Sequence, residues 1–431
     1  MGKILVQGGV PLHGRIRVKG SKNASLPIIA AAMLTDEQVV IEDVPDLLDV
    51  RTMINVLRSL GVEASYNPHT ETVKVCARRV KYSQPPPQLI QQMRASFLVL
   101  GPMLSRKKQV RLTLPGGCAI GARPVDLHLK GLTALGARFT IDQGLIVAET
   151  EGLRGGYIYL DYPSVGATEN IIMAAAAAPG ATTLENAATE PEIVDLANFI
   201  NSMGGRISGA GTSSIRIEGV EEFHGTRYTV IPDRIEAGTL LLAGAITGGE
   251  ITVENVVPEH LKSLLAKLRE TGALVEEIGS STLRAGSIGR TAAVDLKTLP
   301  YPGFPTDLQP QFMALLCTSR GTSMVTETVF ENRFQHVSEL VRMGARIQID
   351  GNHAIIQGQP YLTGAPVRAA DLRAAAALLL AALGARGVTE ISGAVHLWRG
   401  YSGLEERLQK VGARIQVVSA PDCQKREQRS C

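Results

Sequence analysis

The stretch Val337-Ser-Glu-Leu-Val-Arg-Met-Gly-Ala-Arg-Ile347 decides the fold, because a version of it occurs six times in the 431 residues of the chain. It reads as an amphipathic helix, a glycine, and then the first residues of a strand. Glycine at this position ends a helix in the left-handed conformation, and the β-branched residues that follow favour a strand. The six glycines stand at positions 61, 136, 204, 272, 344 and 412, with separations of 75, 68, 68, 72 and 68 residues.

An Ala- or Leu-rich helix and a β-rich stretch precede the amphipathic helix of the repeat. This first helix is clearest at residues 24–34, 167–178, 237–246 and 372–383. Each repeat is therefore βαβαββ-like and about 70 residues long, which is too short to bury both helix faces alone. The sequence predicts an α/β protein in which six repeats pack as two sets of three.

The division between the two halves is predicted near residues 229–234, where Pro232 interrupts the pattern. Two β-rich segments, residues 4–7 and 15–19, come before the first repeat and are available to complete a sheet of the second half. We expect the chemistry in a cleft between the two halves, since small-molecule sites favour domain boundaries.

The composition excludes several classes of protein. A net charge of +3 is too small to indicate nucleic-acid binding. The five cysteines are odd in number and scattered, without CxxC spacing, which fits a reducing compartment rather than a disulfide framework. No apolar run reaches the ~18 residues of a membrane span. We therefore expect a cytoplasmic protein with no nucleic-acid and no membrane partner.

The sequence contains no complete nucleotide-binding loop and no recognisable metal-binding motif. Residues 14–22 end in Gly-Ser-Lys but lack the adjacent Gly-Lys-Ser/Thr of a phosphate loop, and Gly209-Ala-Gly211 does not open a helix. There is no HExxH, and the eight histidines are dispersed. His128 and His396 are each interpreted as structural or substrate-orienting rather than as metal ligands. The sequence predicts no cofactor and no metal.

The loop Leu114-Pro-Gly-Gly-Cys-Ala-Ile-Gly-Ala-Arg-Pro-Val-Asp-Leu-His128 carries the strongest chemical signal. Glycines on both sides of Cys118 allow the backbone to adopt conformations that other residues resist. Arg123 supplies a fixed positive charge that favours thiolate over thiol. A buried structural cysteine is the alternative reading. The flanking glycines and proline favour a loop, and so an acid or nucleophile acting on an anionic substrate.

Several cations and one carboxylate stand at loop or helix-start positions. Each alone has a structural reading: Asp307, on a proline-rich turn, as a helix N-cap, and an arginine as a solvated side chain. Together they suit an anionic substrate, which needs several fixed positive charges to be held. The cations are Lys22, Arg94, Arg123 and Arg399, the carboxylate is Asp307, and the neutral Asn23 stands next to Lys22.

Four segments together resemble the UDP-N-acetylglucosamine 1-carboxyvinyltransferases, a family of enolpyruvyl transferases. The segments are residues 20–27, 115–128, 304–310 and 399–401, and the resemblance spans about residues 1–418. It implies two inside-out α/β barrel-like domains, each made of three βαβαββ repeats around buried helices. The first domain would comprise residues 22–230 and the second residues 1–21 plus 231–418, with residues 419–431 as a polar tail.

The resemblance also implies a reaction and its substrates. Members transfer the enolpyruvyl group of phosphoenolpyruvate to the 3-hydroxyl of UDP-N-acetylglucosamine and release phosphate, which begins peptidoglycan precursor synthesis. No cofactor is needed, because phosphoenolpyruvate carries its own leaving group. The two substrates are the implied partners, and the oligomeric state is not indicated.

Residue roles carry over by position. Cys118 matches the cysteine that protonates the methylene carbon, can hold phosphoenolpyruvate covalently and reacts with the epoxide fosfomycin. Asp307 matches the carboxylate proposed to take the sugar hydroxyl proton. Lys22, Arg123 and Arg399 match the cations around phosphate and carboxylate. Lys22, Asn23, Arg94 and Asp307 match substrate contacts, and Val329 matches a further sugar-nucleotide contact. The run Arg123, Pro124, Val125, Asp126 and Leu127 matches the uracil and ribose site. Ser164, Val165 and Gly166 match a diphosphate and uridine contact region. Tyr162 departs from the pattern, since some members have lysine there.

Three alternatives are weighed against this reading. The shikimate-pathway enolpyruvyl transferases share the fold and phosphoenolpyruvate, but the cysteine loop is expected only in the sugar-nucleotide enzymes. A catalytically silent sensor of UDP-sugars is disfavoured because Lys22, Cys118 and Asp307 are all retained. A thiol redox protein lacks a resolving cysteine near Cys118.

Overall fold

The computed structural model of the protein describes residues 2–116, 120–121 and 124–418. These residues form two compact units. The first unit contains residues 19–116 and 124–233, and the second contains residues 2–18, 120–121 and 234–418. Each unit has a hydrophobic core of its own.

The chain begins with two strands of the second unit, β1 (Lys3–Gln7) and β2 (His13–Arg17). The chain then builds the first unit, whose strands are β3 (Gln38–Glu42), β4 (Glu63–Asn67), β5 (Thr72–Cys76), β6 (Gln109–Thr113), β7 (Arg138–Asp142), β8 (Leu145–Glu149), β9 (Tyr157–Tyr159), β10 (Ala181–Glu185), β11 (Arg206–Ser208), β12 (Ser214–Glu218) and β13 (Arg227–Thr229). Its α-helices are α1 (Lys22–Ala31), α2 (Leu48–Ser59), α3 (Pro87–Gln92), α4 (Leu100–Arg106), α5 (Asp126–Ala134), α6 (Val165–Ala176) and α7 (Pro191–Ser202).

The rest of the second unit follows residue 233. Its remaining strands are β14 (Glu250–Glu254), β15 (Leu274–Glu277), β16 (Thr282–Gly286), β17 (Leu296–Lys297), β18 (Thr322–Thr326), β19 (Arg346–Asp350), β20 (His353–Gln357), β21 (Pro366–Arg368), β22 (Val388–Ser392) and β23 (Arg414–Val417). Its α-helices are α8 (Arg234–Ile246), α9 (Lys262–Glu270), α10 (Gln309–Leu316), α11 (Val337–Arg342), α12 (Leu372–Gly384), α13 (Val395–Trp398) and α14 (Leu404–Lys410). Short 3-10 helices cover Ala32–Leu34, Arg94–Val99, Pro258–Leu261 and Thr306–Leu308.

Small mixed sheets recur in both units, as the repeat predicts. In the described residues, the first unit has the strand orders β13-β3-β5-β4, β6-β8-β7 and β11-β12-β10-β9. The second unit has β15-β16-β14-β2, β17-β18-β20-β19 and β21-β22-β1-β23. The N-terminal strands thus complete sheets of the second unit: β1 lies antiparallel between β22 and β23, and β2 is parallel to β14.

The six repeat glycines end their helices as predicted. Gly61, Gly136, Gly204, Gly272, Gly344 and Gly412 all have positive φ angles, between 77° and 108°. A side chain resists this left-handed conformation, so glycine lets the chain leave the helix and enter the next strand.

Some helices are buried on every side. All residues of α10 are buried, as are residues 235–245 of α8 and 372–383 of α12, and these three helices pack against one another. In the first unit, residues 167–176 of α6 are all buried. Helices that are buried on every side must be enclosed by other elements, so these three helices lie at the centre of the second unit. No helix in the described ranges is long and apolar enough to cross a bilayer.

Candidate active site

Lys22 opens α1 in the first unit, where the sequence analysis places it. The Ser21 side chain caps this helix by accepting the Ala24 N–H. The Lys22 backbone N–H donates to the Asp233 carboxylate at 3.1 Å, and its ammonium group lies 2.7 Å from the Asp49 carboxylate. The Lys22 and Asp49 side chains are only 11% and 4% exposed, so this ion pair compensates a charge removed from water. Lys22 is therefore a charge held in place at a helix N-terminus.

The predicted uridine segment begins at the N-terminus of α5. Pro124 and Asp126 are exposed, Val125 is buried and Leu127 is half-buried. An Arg94 guanidinium nitrogen donates to the Pro124 carbonyl oxygen at 3.0 Å. Arg94 opens the 3-10 helix Arg94–Val99. The structure thus joins two predicted substrate contacts directly.

The predicted diphosphate segment, Ser164 to Gly166, starts α6. Ser164 caps the helix by accepting the Ala167 N–H, and a Cβ at Gly166 would lie 3.1 Å from the His128 ring. Any side chain at residue 166 would therefore press on His128. The structure thus packs Gly166 of α6 on the buried His128 of α5, which directly follows residues 124–127 in sequence.

Asn170 sets the tautomer of the neutral His128 ring. Its amide oxygen accepts the Gly101 N–H at 2.8 Å, and its NH₂ group donates to the Phe97 carbonyl oxygen at 3.1 Å. The same NH₂ group lies 2.9 Å from His128 Nδ1, which must then be the acceptor. The neutral ring therefore carries its proton on Nε2. The role of Asn170 is not visible in the sequence, because its pairing with His128 joins α5 to α6 across the fold.

In the second unit, Asp307 contacts two arginines. Its carboxylate oxygens lie 2.8 Å from Arg333 Nη2 and 2.7 Å from Arg373 Nη2. The arginine side chains are 2% and 5% exposed and Asp307 is 27% exposed. The alternative reading of Asp307 as an N-cap is wrong, since the 3-10 helix that contains it has no side-chain cap. Asp307 is instead the counter-ion of two buried guanidinium groups.

Arg333 and Arg373 were missed by the sequence analysis. One signal was present: Arg373 is the second residue of α12, where a positive charge opposes the helix dipole. A cation at that position, two residues after the capping Asp371, indicates a nearby anion. Arg333 has no such local signal, because its partner is 26 residues away in sequence.

Glu327, also missed, organises the surroundings of Val329. Its buried carboxylate accepts the Val329 N–H at 2.8 Å and the Thr306 hydroxyl at 3.0 Å. Thr306 is the neighbour of Asp307, so one carboxylate fixes both the predicted sugar-nucleotide contact and the turn that carries the predicted base.

Arg399 follows α13 and is half-buried. The pKa of the nearby His396 is lowered, first by burial and then by the Arg399 charge. Burial also lowers the pKa of His336 to about 4, with Arg333 acting in the same direction and Asp371 opposing it. Both rings are thus neutral near pH 7.

Cys118 and Arg123 lie outside the described residues. Of the loop between them, Ile120 and Gly121 belong to the second unit, where the Asn332 N–H donates to the Ile120 carbonyl oxygen at 2.9 Å. Tyr162, in the place of a lysine, is 42% exposed, and its carbonyl oxygen accepts the Ser164 N–H. No His, Cys, Asp and Glu side chains among the described residues form a group that could hold a metal ion.

Comparison with known proteins identifies the family. The family model of EPSP synthase (3-phosphoshikimate 1-carboxyvinyltransferase) matches residues 6–408. A UDP-N-acetylglucosamine 1-carboxyvinyltransferase of Caldanaerobacter subterraneus subsp. tengcongensis is 53% identical over 96% of this chain and 99% of its own length. One from Carboxydothermus hydrogenoformans is also 53% identical, over 97% of this chain and 100% of its own length. The chain belongs to the UDP-N-acetylglucosamine 1-carboxyvinyltransferases, within the enolpyruvyl transferase family.

Solved structures agree with this assignment. The enolpyruvyl transferase NikO from Streptomyces tendae superposes with a TM-score of 0.86 at 27% identity, covering 97% of this chain and 99% of its own. EPSP synthase from Acinetobacter baumannii gives a TM-score of 0.75 at 19% identity, covering 97% of this chain and 100% of its own, which shows the shared fold alone.

Proposed function

We propose that this enolpyruvyl transferase joins phosphoenolpyruvate to the 3-hydroxyl of UDP-N-acetylglucosamine and releases phosphate, in peptidoglycan precursor synthesis. The identity of 53% over nearly the whole chain to proteins of that name carries the proposal. The site chemistry supports it, because Arg333 and Arg373 supply buried positive charge beside the Asp307 carboxylate. A substrate that bears both a phosphate group and a carboxylate group requires such positive charge.

The proposed reaction is an addition followed by an elimination. The sugar oxygen bonds to C2 of phosphoenolpyruvate while C3 gains a proton, and the hydroxyl proton leaves to a base. Loss of a proton from C3 and of phosphate from C2 then restores the double bond. An acid must therefore protonate phosphoenolpyruvate while a base deprotonates the sugar hydroxyl, in a site from which water is excluded.

The proposed roles follow the sequence analysis. Cys118 protonates C3 and can form the covalent phosphoenolpyruvate adduct, and Asp307 accepts the hydroxyl proton. Lys22, Arg123 and Arg399 stabilise the phosphate and carboxylate. Asn23, Arg94, Arg123 to Leu127, Ser164 to Gly166 and Val329 bind the sugar nucleotide. The Arg94–Pro124 bond and the packing of Gly166 on His128 support this grouping in the first unit.

We also propose the finer architecture and the location. Each domain, residues 22–230 and residues 1–21 plus 231–418, is an inside-out barrel-like set of three repeats. The fully buried helices α8, α10 and α12 support this in the second domain. Residues 419–431 are a polar tail. A cytoplasmic location is supported by the odd number of scattered cysteines.

One assay tests the activity. Phosphate release from phosphoenolpyruvate is measured with UDP-N-acetylglucosamine or with shikimate 3-phosphate as the acceptor. We expect release only with the sugar nucleotide. Release with shikimate 3-phosphate, or with neither acceptor, would contradict the proposed function.

A further inference from the structure

Arg373 is held at both of its terminal nitrogens. Nη2 donates to Asp307 Oδ2 at 2.7 Å, and Nη1 donates to the Tyr401 hydroxyl oxygen at 3.1 Å. The guanidinium carbon also lies 5.7 Å from the centre of the Tyr401 ring. Because a guanidinium group is planar and rigid, fixing one nitrogen fixes the direction of the other. Tyr401 therefore determines how Arg373 meets Asp307.

The directions of the hydrogen bonds at Tyr401 can be assigned. Its oxygen receives N–H groups from Arg373 and from Gln311 Nε2, each at 3.1 Å. Thr239 Oγ1 lies 3.0 Å from it, and the Thr239 hydroxyl donates to the Ile235 carbonyl oxygen at 2.8 Å. Since the Thr239 proton is used there, the Tyr401 O–H donates to Thr239. This hydroxyl, on a side chain 1% exposed, gives one hydrogen bond and receives two.

The same hydroxyl is connected to the backbone of Asp307. Gln311 Nε2 donates to the Asp307 carbonyl oxygen at 2.9 Å as well as to Tyr401. Thr239, Gln311 and Arg373 belong to α8, α10 and α12, which are the three central buried helices of the second unit. Tyr401 thus links the side chain and the main chain of Asp307 to the rigid centre of that unit.

We propose that Tyr401 is a positioning residue for the enolpyruvyl transfer, acting through Arg373 and Gln311 to hold the Asp307 carboxylate in its reactive orientation. The proposal rests on the proposed function, in which Asp307 is the base. Without the Tyr401 hydroxyl, Arg373 loses the hydrogen bond at Nη1, and both the guanidinium group and the Asp307 carboxylate that it contacts change orientation. A displacement of about 1 Å at a reacting group can cost on the order of 100-fold in rate.

Tyr401→Phe tests this directly, since it removes one oxygen atom and keeps the ring. We expect kcat to fall by roughly 10- to 100-fold, while the KM for UDP-N-acetylglucosamine stays within about twofold. In an Asp307→Asn background, Tyr401→Phe should cause no further fall in kcat, because the group that it positions is already lost. A kcat within twofold of the wild-type value, or losses that add in the double variant, would overturn the proposal.

Two further variants separate positioning from general destabilisation. Tyr66→Phe is the matched control: it deletes a hydroxyl that donates to the Val44 carbonyl oxygen in the first unit, and kcat should not change. Thr239→Val removes the acceptor of the Tyr401 proton and should lower kcat, whereas Thr239→Ser keeps the acceptor and should recover most of it. This pair decides the proposal if Tyr401→Phe fails to fold. Inactive wild-type protein would refute the proposed function instead.

Discussion

Cys118 combines three features at the scale of a single residue: a thiol, a glycine loop and a neighbouring arginine. Cys118→Ser should abolish or greatly slow turnover, because a hydroxyl group is a much weaker acid than a thiol. It should also remove alkylation by fosfomycin. Mass spectrometry of protein treated with fosfomycin locates the adduct, and an adduct on Cys76 or Cys317 would contradict the assignment. Cys317 is a suitable internal control, since burial raises the pKa of its thiol to about 12.

The Cys118→Asp variant distinguishes proton transfer from covalent catalysis. A carboxylic acid can deliver a proton if its position and pKa are suitable. We expect activity to survive with a shifted pH optimum and with resistance to fosfomycin. An inactive variant that still binds both substrates would favour an obligatory covalent role.

Asp307→Asn keeps the shape of the side chain but removes the carboxylate that is proposed as the base. Turnover should fall on the order of 10²–10⁴-fold, nearly as far as in Asp307→Ala, while the Kd for UDP-N-acetylglucosamine changes little. Calorimetric binding and steady-state rates on both variants check this. Near-normal turnover in Asp307→Asn would mean that the residue only orients the hydroxyl.

The contacts of Asp307 with Arg333 and Arg373 mean that the stability of the Asp307 variants must be considered in that experiment. Replacing Asp307 leaves Arg333 and Arg373 without the carboxylate that both contact, and breaking a buried ion pair can cost about 3–5 kcal/mol. Rates should therefore be measured well below the unfolding temperature of each variant. The contact was not predictable from the sequence, because the three residues come from separate segments and only the fold makes them neighbours.

At the scale of elements, helix ends were the most predictable feature. The stretch of residues 337–347 predicts a helix, a glycine and a strand, and these were found as α11 (Val337–Arg342), the left-handed Gly344 and β19 (Arg346–Asp350). Local chemistry determines such boundaries, since glycine tolerates the required φ angle. The polar contacts between elements were not predictable, because hydrogen bonds such as Asn170–His128 depend on how two helices approach each other.

The contact between Asp195 and Tyr228 is one such contact between two elements, and its contribution to stability depends on pH. Asp195 lies on α7, is 2% exposed, and accepts the Tyr228 hydroxyl of β13 at 2.6 Å. Burial raises its pKa from 3.8 to about 6, although the hydrogen bonds from Tyr228 and Ile231 oppose this shift. The folded state therefore binds the proton more tightly than the unfolded state does. Its contribution to stability is fully present below about pH 4 and is lost as the pH rises through 6.

Asp195→Asn should remove this pH dependence, because the amide resembles the protonated acid. The free energy of unfolding of the variant minus that of the wild type should increase by about 2.4 kcal/mol between pH 4 and pH 7.5. Urea unfolding followed by circular dichroism at both pH values measures the difference. The exposed Asp142→Asn serves as the control and should show no such trend. An unchanged difference for Asp195→Asn would show that the carboxyl is already ionised at low pH.

At the scale of the whole molecule, the chain starts in one unit, builds the other, and then returns. Residues 2–18 belong with residues 234–418, although the first unit separates them in sequence. β1 is a central strand: Val6 is fully buried and faces Thr389 on one side and Ile415 on the other. The second unit therefore cannot complete this sheet without the first residues of the chain.

Val6→Asp should consequently destabilise the second unit in particular. Burying an unpaired carboxylate in the middle of a sheet costs several kcal/mol, whereas Gln7→Asp places the same charge at an exposed position of β1 and should cost little. The chain has one tryptophan, Trp398, and it lies in the second unit, so its fluorescence reports the unfolding of that unit. We expect a large fall in the urea midpoint of the Trp398 signal for Val6→Asp. Hydrogen exchange of residues 19–116 and 124–233 should stay close to that of the wild type. Equal loss of protection in both units would show instead that the two units unfold as one cooperative body, in spite of their separate cores.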